Sequence, residues 1–122
     1  MNPTKVLIVD DEPNILLSLD FLMKKNGFQV FLARNGQEAL ESANEHIPNV
    51  IILDIMMPDV DGYEICKTLK ADTKFNQTKI IFLSAKSKES DIAKGFEIGA
   101  DAYMTKPFVN KILLEKVKEL VG

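Results

Sequence analysis

At 122 residues, 46% apolar and 27% charged, the chain has the makeup of one ordinary globular domain. A net charge of -3 argues against a domain that grips nucleic acid by itself, and the single Cys66 excludes an internal disulfide or a cysteine-built zinc cluster. No apolar run approaches the roughly 20 residues that span a bilayer. The opening MNPTKV leads at once into a charged strand and does not read as a signal peptide, so the expected location is cytoplasmic, without membrane contact.

In chain order, Val6–Val9 is a solid apolar run that ends in three acids, Asp10, Asp11 and Glu12. Residues 14–26 carry Ile15, Leu16, Leu19, Leu22 and Met23 at helical spacing, and Gly27 stops the helix. Phe28–Ala33 alternates as a strand does. Residues 36–44 are helical, with Ala39, Leu40 and Ala43 on one side. Val50–Leu53 is a second buried strand and ends at Asp54. Residues 61–71 form a helix that turns Ile65 and Leu69 inward. Thr73–Lys79 is the longest polar loop. Lys79–Leu83 is a third buried strand and ends at Ser84. Residues 88–98 are helical and capped by Gly99. Ala102–Thr105 is a short strand before Lys106, Pro107 and Phe108, and residues 110–121 close the chain as a helix with Leu113, Val117 and Leu120 aligned.

Strands that alternate with helices of this length imply an α/β fold with a parallel sheet covered on both faces. Solid runs such as VLIV, VIIL and IIFL suit strands buried on both sides. In an open sheet of that kind, ligands bind beyond the carboxyl ends of the strands. Asp10, Asp11, Asp54 and Ser84 stand at such ends and should converge on one crevice.

Carboxylates held side by side repel. A divalent cation relieves this, and hard oxygen ligands suit Mg²⁺, with Mn²⁺ able to take its place. A carboxylate beside such an ion can attack phosphorus and form an aspartyl phosphate. Phosphoryl transfer mostly needs positioning and charge neutralisation. Lys106 and Ser84, each at a strand end, are placed to supply a cation and a hydroxyl.

VLIVDDEP, LDIMMPDVDG, FLSA and GADAYMTKPF, in this order and at successive strand ends, give the chain its resemblance to the receiver domain of bacterial two-component response regulators. The resemblance covers essentially the whole length and implies one receiver domain over residues 1–122. It implies the flavodoxin-like, doubly wound fold of five parallel strands in the order 2-1-3-4-5. It also implies a signalling switch rather than an enzyme, catalysing only its own phosphorylation and slow dephosphorylation. Asp54 would be the phosphoacceptor. Asp10, Asp11, Asp54 and the backbone carbonyl of Met56 would hold Mg²⁺. Ser84 and Lys106 would bind the phosphoryl group, and the Lys106–Pro107 bond would be cis. Ser84 and Tyr103 would form the switch, acting on the face built by the fourth helix, fifth strand and fifth helix. The donor would be a histidine kinase or a histidine phosphotransfer protein, the output partner is not specified, and the domain would be a monomer or weak dimer. No output segment follows Gly122, which is compatible with a free-standing receiver or with one cut from a larger regulator.

Two positions tune phosphate lifetime in this family. Here they are Met56 and Lys86, and neither can orient an attacking water, so self-dephosphorylation should take minutes or longer. The dipeptide Asp101–Ala102 and Ile112 leave the output face less charged than in winged-helix regulators, where acids are common. Other readings of single residues are plainer: Glu12 as a first-turn acid, Ser84 as a helix cap, Asp59 and Asp61 as turn caps, His46 as a surface residue and Cys66 as packing. A flavodoxin-like electron carrier would need a phosphate-friendly first loop in place of DDEPN. A phosphatase using Asp54 would want a carboxylate at Met56. The intact set Asp11, Asp54, Ser84 and Lys106 argues against a degenerate receiver.

Overall fold

The three solid apolar runs lie side by side in the computed structural model, which describes residues 3–122. Strands β1 (Lys5–Val9), β2 (Gln29–Ala33), β3 (Val50–Asp54), β4 (Lys79–Ser84) and β5 (Ala102–Thr105) pair in parallel in the order β2-β1-β3-β4-β5. Helices α1 (Pro13–Lys25), α2 (Gly36–His46), α3 (Gly62–Lys70), α4 (Glu89–Ile98) and α5 (Asn110–Val121) connect and follow them. The parallel sheet covered on both faces is what the alternation of strand and helix patterns implied, and the strand order is the one the resemblance implied.

Because successive strand residues point to opposite faces, the central strands feed two cores. Leu7, Val9, Ile51, Leu53, Ile80 and Phe82 pack with the buried faces of α2 and α3. Val6, Ile8, Val50, Ile52, Ile81 and Leu83 pack with α1 and α5. Burying one such side chain is worth about 1.5–3 kcal/mol. Cys66 is fully buried in the first core, the packing role its position suggested. Among the described residues, no helix is long and apolar enough to cross a membrane.

Several boundaries differ from the sequence reading. Pro13 joins α1 at its first turn, where its missing N–H costs nothing. Helix α2 runs to His46 and stops at Ile47, whose φ of 45° is left-handed and costly for a β-branched residue. Pro48 follows and cannot continue a helix. His46 is half-buried rather than a free surface residue: its ring stacks on Phe31 with centroids 3.7 Å apart and planes 12° apart. The polar loop after α3 is also more than a loop. It contains a 3₁₀ turn at Thr73–Phe75, with Phe75 buried, and the buried Thr78 hydroxyl donates to the Pro48 carbonyl at 2.8 Å. At the amino ends of β4 and β5, Asp101 accepts the Ile80 N–H at 2.8 Å and pairs with Lys70 at 3.2 Å. That acid therefore braces the sheet.

Candidate functional site

Strands β1 and β3 run in register, Val9 opposite Leu53. Asp10 and Asp54, the next residues on each, emerge together at the carboxyl edge of the sheet. Both are buried, 1% and 3% exposed. Two carboxylates in so little water would repel unless a cation stood between them. Lys106 supplies the charge. Its backbone N–H donates to the Ser84 carbonyl at 2.8 Å, which fixes the end of β5 against the end of β4. Its ammonium Nζ then lies 2.9 Å from Asp10 Oδ2, 3.6 Å from Asp54 Oδ2 and 3.4 Å from Glu12 Oε1. The Lys106–Pro107 peptide is cis.

One lysine does not balance the cluster. Burial, and next the Asp10 charge, push the Asp54 carboxyl up to about 6; Lys106 and the Met56 N–H oppose this only in part, and Asp11 adds to the rise. Burial also raises Asp10, although its carboxylate accepts the Glu12 N–H at 2.9 Å. Lys106 answers in the opposite sense. Burial acts to lower it, but the hydrogen bond to Asp10 and the charges of Asp54, Asp10 and Glu12 overcome that and favour the ammonium. The site is thus short of positive charge, the condition under which a second cation is attracted.

Glu12 is not in the first turn of α1, as its sequence position suggested. It is the N-cap residue, its side chain makes no capping bond there, and its carboxylate faces Lys106. Among the described residues, the carboxylates whose oxygens lie within 4.8 Å of one another are Asp10, Asp11 and Glu12. Asp54 stands outside that group, and Lys106 lies between it and Asp10. The sequence signal for Glu12 was present, as a third acid in an unbroken run. Asp11 is exposed and lines a shallow cavity of about 440 Å³ with Met56, Met57, Asp59 and Lys86. A donor set of hard carboxylate oxygens fits Mg²⁺.

The remaining site residues hold loops. Met56 donates its N–H to Asp54 Oδ1 at 3.3 Å. Ser84 is fully buried, and its Oγ accepts the Lys86 N–H at 3.0 Å, short of α4, so it caps a turn and not the helix. Tyr103 lies half-buried, edge-on to Phe82 at 6.0 Å, and its hydroxyl donates to the Lys86 carbonyl at 2.8 Å. Asp61 caps α3 through the Tyr63 N–H at 2.8 Å. Asp59 does something sequence spacing did not show. Its carboxylate accepts from Gly36 and Gln37 at 2.9 and 3.1 Å, so the loop after β3 caps α2. Those bonds, the one to Gly36 foremost, hold its carboxyl below the ordinary carboxylate range.

The sequence model of the response regulator receiver domain matches residues 6–118. The chain belongs to that family. It is 40% identical, over 96% of its own length, to the alkaline phosphatase synthesis transcriptional regulatory protein PhoP of Bacillus subtilis, and spans 48% of that relative. It superposes on the beryllofluoride-activated receiver domain of DrrB from Thermotoga maritima with a TM-score of 0.89 and 38% identity, covering 98% of each chain. It superposes on the chemotaxis response regulator CheY4 of Vibrio cholerae with a TM-score of 0.91 and 29% identity, covering 98% of this chain and 99% of that one. As a receiver domain of a two-component response regulator it has a place in phosphorelay signalling. Receivers are phosphoacceptor switches rather than conventional enzymes, and they bind Mg²⁺ at an acidic pocket; this chain has an Asp10–Asp11–Glu12 cluster at the carboxyl edge of its sheet.

Proposed function

We propose that this receiver takes a phosphoryl group on Asp54 from a histidine kinase or histidine phosphotransfer protein, and that the face of α4, β5 and α5 carries the signal onward. The observation that carries the reading is the buried Asp54 carboxylate, joined through one ammonium to a second buried carboxylate at the carboxyl edge of the sheet. Above about pH 6 Asp54 is ionised and can attack. One of its oxygens bonds to phosphorus as the phosphorus–nitrogen bond of the donor imidazole breaks, and the ring nitrogen keeps the electron pair. Asp10, Asp11, Asp54 and the Met56 carbonyl would hold Mg²⁺, or Mn²⁺, with Glu12 beside them. When bound, the ion supplies charge neutralisation at the phosphoryl oxygens. Lys106 pairs with those oxygens as well, and the Ser84 hydroxyl donates to one of them, a preorganised electrostatic contribution. Ser84 must then leave its bond with the Lys86 N–H, and the loop that Tyr103 holds by the Lys86 carbonyl moves with it. Each state binds partners differently, so the phosphoryl group shifts the population of two arrangements. The domain itself works as a monomer or weak dimer in the cytoplasm, without touching membrane or nucleic acid.

Intact-mass measurement with acetyl phosphate and Mg²⁺ tests the reading. Wild type should gain one phosphoryl group and Asp54→Ala none; uptake by the variant would move the acceptor elsewhere. The same experiment, continued after the donor is removed, tests the lifetime. Met56 is exposed and Lys86 lines the cavity beside it, and neither offers a carboxylate or amide to orient a water. The mark should persist for minutes or longer, and loss within seconds with release of phosphate would contradict this.

A further inference from the structure

Helix α4 carries the proposed signalling face, yet little apolar packing holds it. Gly95 is its buried residue, and among the described residues the Lys88 side chain at its N-cap makes no capping bond. Its amino end is held instead by a phenol from α3. Tyr63 is 2% exposed, and its hydroxyl donates to the Asp91 carbonyl in the first turn of α4 at 3.0 Å. The Lys94 ammonium of α4 lies 4.4 Å from the centre of the same ring, and the Lys86 ammonium of the preceding loop 5.5 Å from it. The ring stands edge-on to Phe82 at 5.5 Å, and Phe82 stands edge-on to Tyr103 at 6.0 Å. Burial, with the neighbouring Tyr103 second, pushes the Tyr63 phenol up to about 12, so it keeps its proton and remains a donor at working pH.

Two phenols from different elements therefore grip one segment. Tyr103 holds Lys86 and Tyr63 holds Asp91, while Ser84 accepts from Lys86 at the end nearer Asp54. Ser84 follows Leu83, the β4 partner of Asp54, so the held segment runs from the phosphoacceptor edge to α4. We propose that Tyr63 is a positioning residue that fixes residues 85–91 and so transmits the phosphorylation state of Asp54 to α4. This rests on the reading of Asp54 and Ser84 given above. Tyr63 touches neither the acid cluster nor the phosphoryl site; it acts through the segment it holds, as Lys86 and Asp91 belong to one loop and the helix it starts.

The test uses the full chain, with beryllofluoride and Mg²⁺ as the phosphoryl mimic, and compares wild type with Tyr63→Phe, which keeps the ring and removes the hydroxyl. Amide exchange should speed up about three- to tenfold in residues 89–94 of the free variant, the range one lost hydrogen bond supports. The mimic should bind about three- to tenfold more weakly, because the loop must now be ordered on binding. The change in α4 exchange that the mimic produces should shrink relative to wild type, a readout that a purely stabilising residue would leave alone. Lys94→Met, at an exposed position, tests the same grip from the side of α4 and should move exchange in the same direction. Wild-type exchange and wild-type affinity in Tyr63→Phe would overturn the proposal. A wild type that takes up no phosphoryl group would overturn the reading of Asp54, while unchanged α4 exchange in Tyr63→Phe would separately remove the grip.

Discussion

At pH 8, without divalent cations, Asp54→Asn should be more stable than wild type by about 2–3 kcal/mol, seen as a higher urea midpoint at unchanged slope. The cause is the position of the wild-type carboxylate. Asp54 is 3% exposed, and burial with the Asp10 charge displaces its carboxyl from 3.8 to about 6. A tenfold change in proton affinity is worth about 1.4 kcal/mol, so ionising Asp54 costs the native state about 3 kcal/mol relative to the unfolded chain. The sign follows from which state ionises first. Below about pH 3, well under the ordinary value of 3.8, both states hold the proton and no penalty exists. Between pH 4 and 6 the unfolded chain loses its proton first, and native stability falls as pH rises. Above pH 7 the whole penalty is present. Asparagine never ionises, so the gap between variant and wild type should open with rising pH and close below about pH 3. Removing Asp54 does not strand Lys106, which keeps Asp10 at 2.9 Å and Glu12 at 3.4 Å. Mg²⁺ should narrow the gap by stabilising wild type: a cation at ten times its Kd adds about 1.4 kcal/mol. Coincident stabilities at pH 8 would show that the carboxylate carries no such cost.

The same conflict is what made the candidate site legible in the sequence. An apolar strand that ends in two acids is a local conflict, and such conflicts mark places where function has overruled stability. Asp10, Asp11, Asp54, Ser84 and Lys106 stand at strand ends because a parallel doubly wound sheet sends all its carboxyl ends to one edge. Strand ends are read from solid apolar runs, which this chain writes plainly. What stayed hidden depends on distance in three dimensions. Asp59 looked like a turn residue, but its partners, Gly36 and Gln37, lie in α2. Glu12 looked like a helix acid until Lys106, 94 residues away, faced it. Residues 73–79 read only as a polar loop, and His46 as a surface residue, because neither the core under a 3₁₀ turn nor the face of Phe31 has a periodic signature. Asp101 was read as part of an output face, yet its carboxylate braces β4 through the Ile80 N–H. Local pattern gave the elements and the edge; pairwise contacts between loops needed the fold.

Gly62→Ala should damage both folding and phosphorylation, and it separates the two effects when set against Gly27→Ala. A Cβ on Gly62 would lie 2.6 Å from the Asp54 carbonyl oxygen and 2.6 Å from the Ile55 Cα. Both are backbone atoms at the end of β3, so neither can swing aside. The Gly62 N–H also donates to the Ile55 carbonyl at 2.8 Å, which pins the start of α3 against the end of β3. Alanine must push the two apart. Overpacking of this kind costs about 1–3 kcal/mol and more where backbone has to shift, against a gain of about 0.5–1 kcal/mol for replacing glycine within a helix. A net loss of about 2 kcal/mol, or roughly 6–10 °C in Tm, is expected. Because the displaced atoms include the backbone of Asp54, phosphoryl uptake from acetyl phosphate should slow at least tenfold, since misplacement on the order of 1 Å can cost about a hundredfold. Gly27 has φ of 88° and open space around its added Cβ. Alanine there should cost about 1–2 kcal/mol for the left-handed backbone alone, yet leave the uptake rate at the wild-type value. Phosphorylation of Gly62→Ala at the wild-type rate, with Gly27→Ala unchanged as well, would mean that the close packing of α3 on β3 does not set the geometry at Asp54.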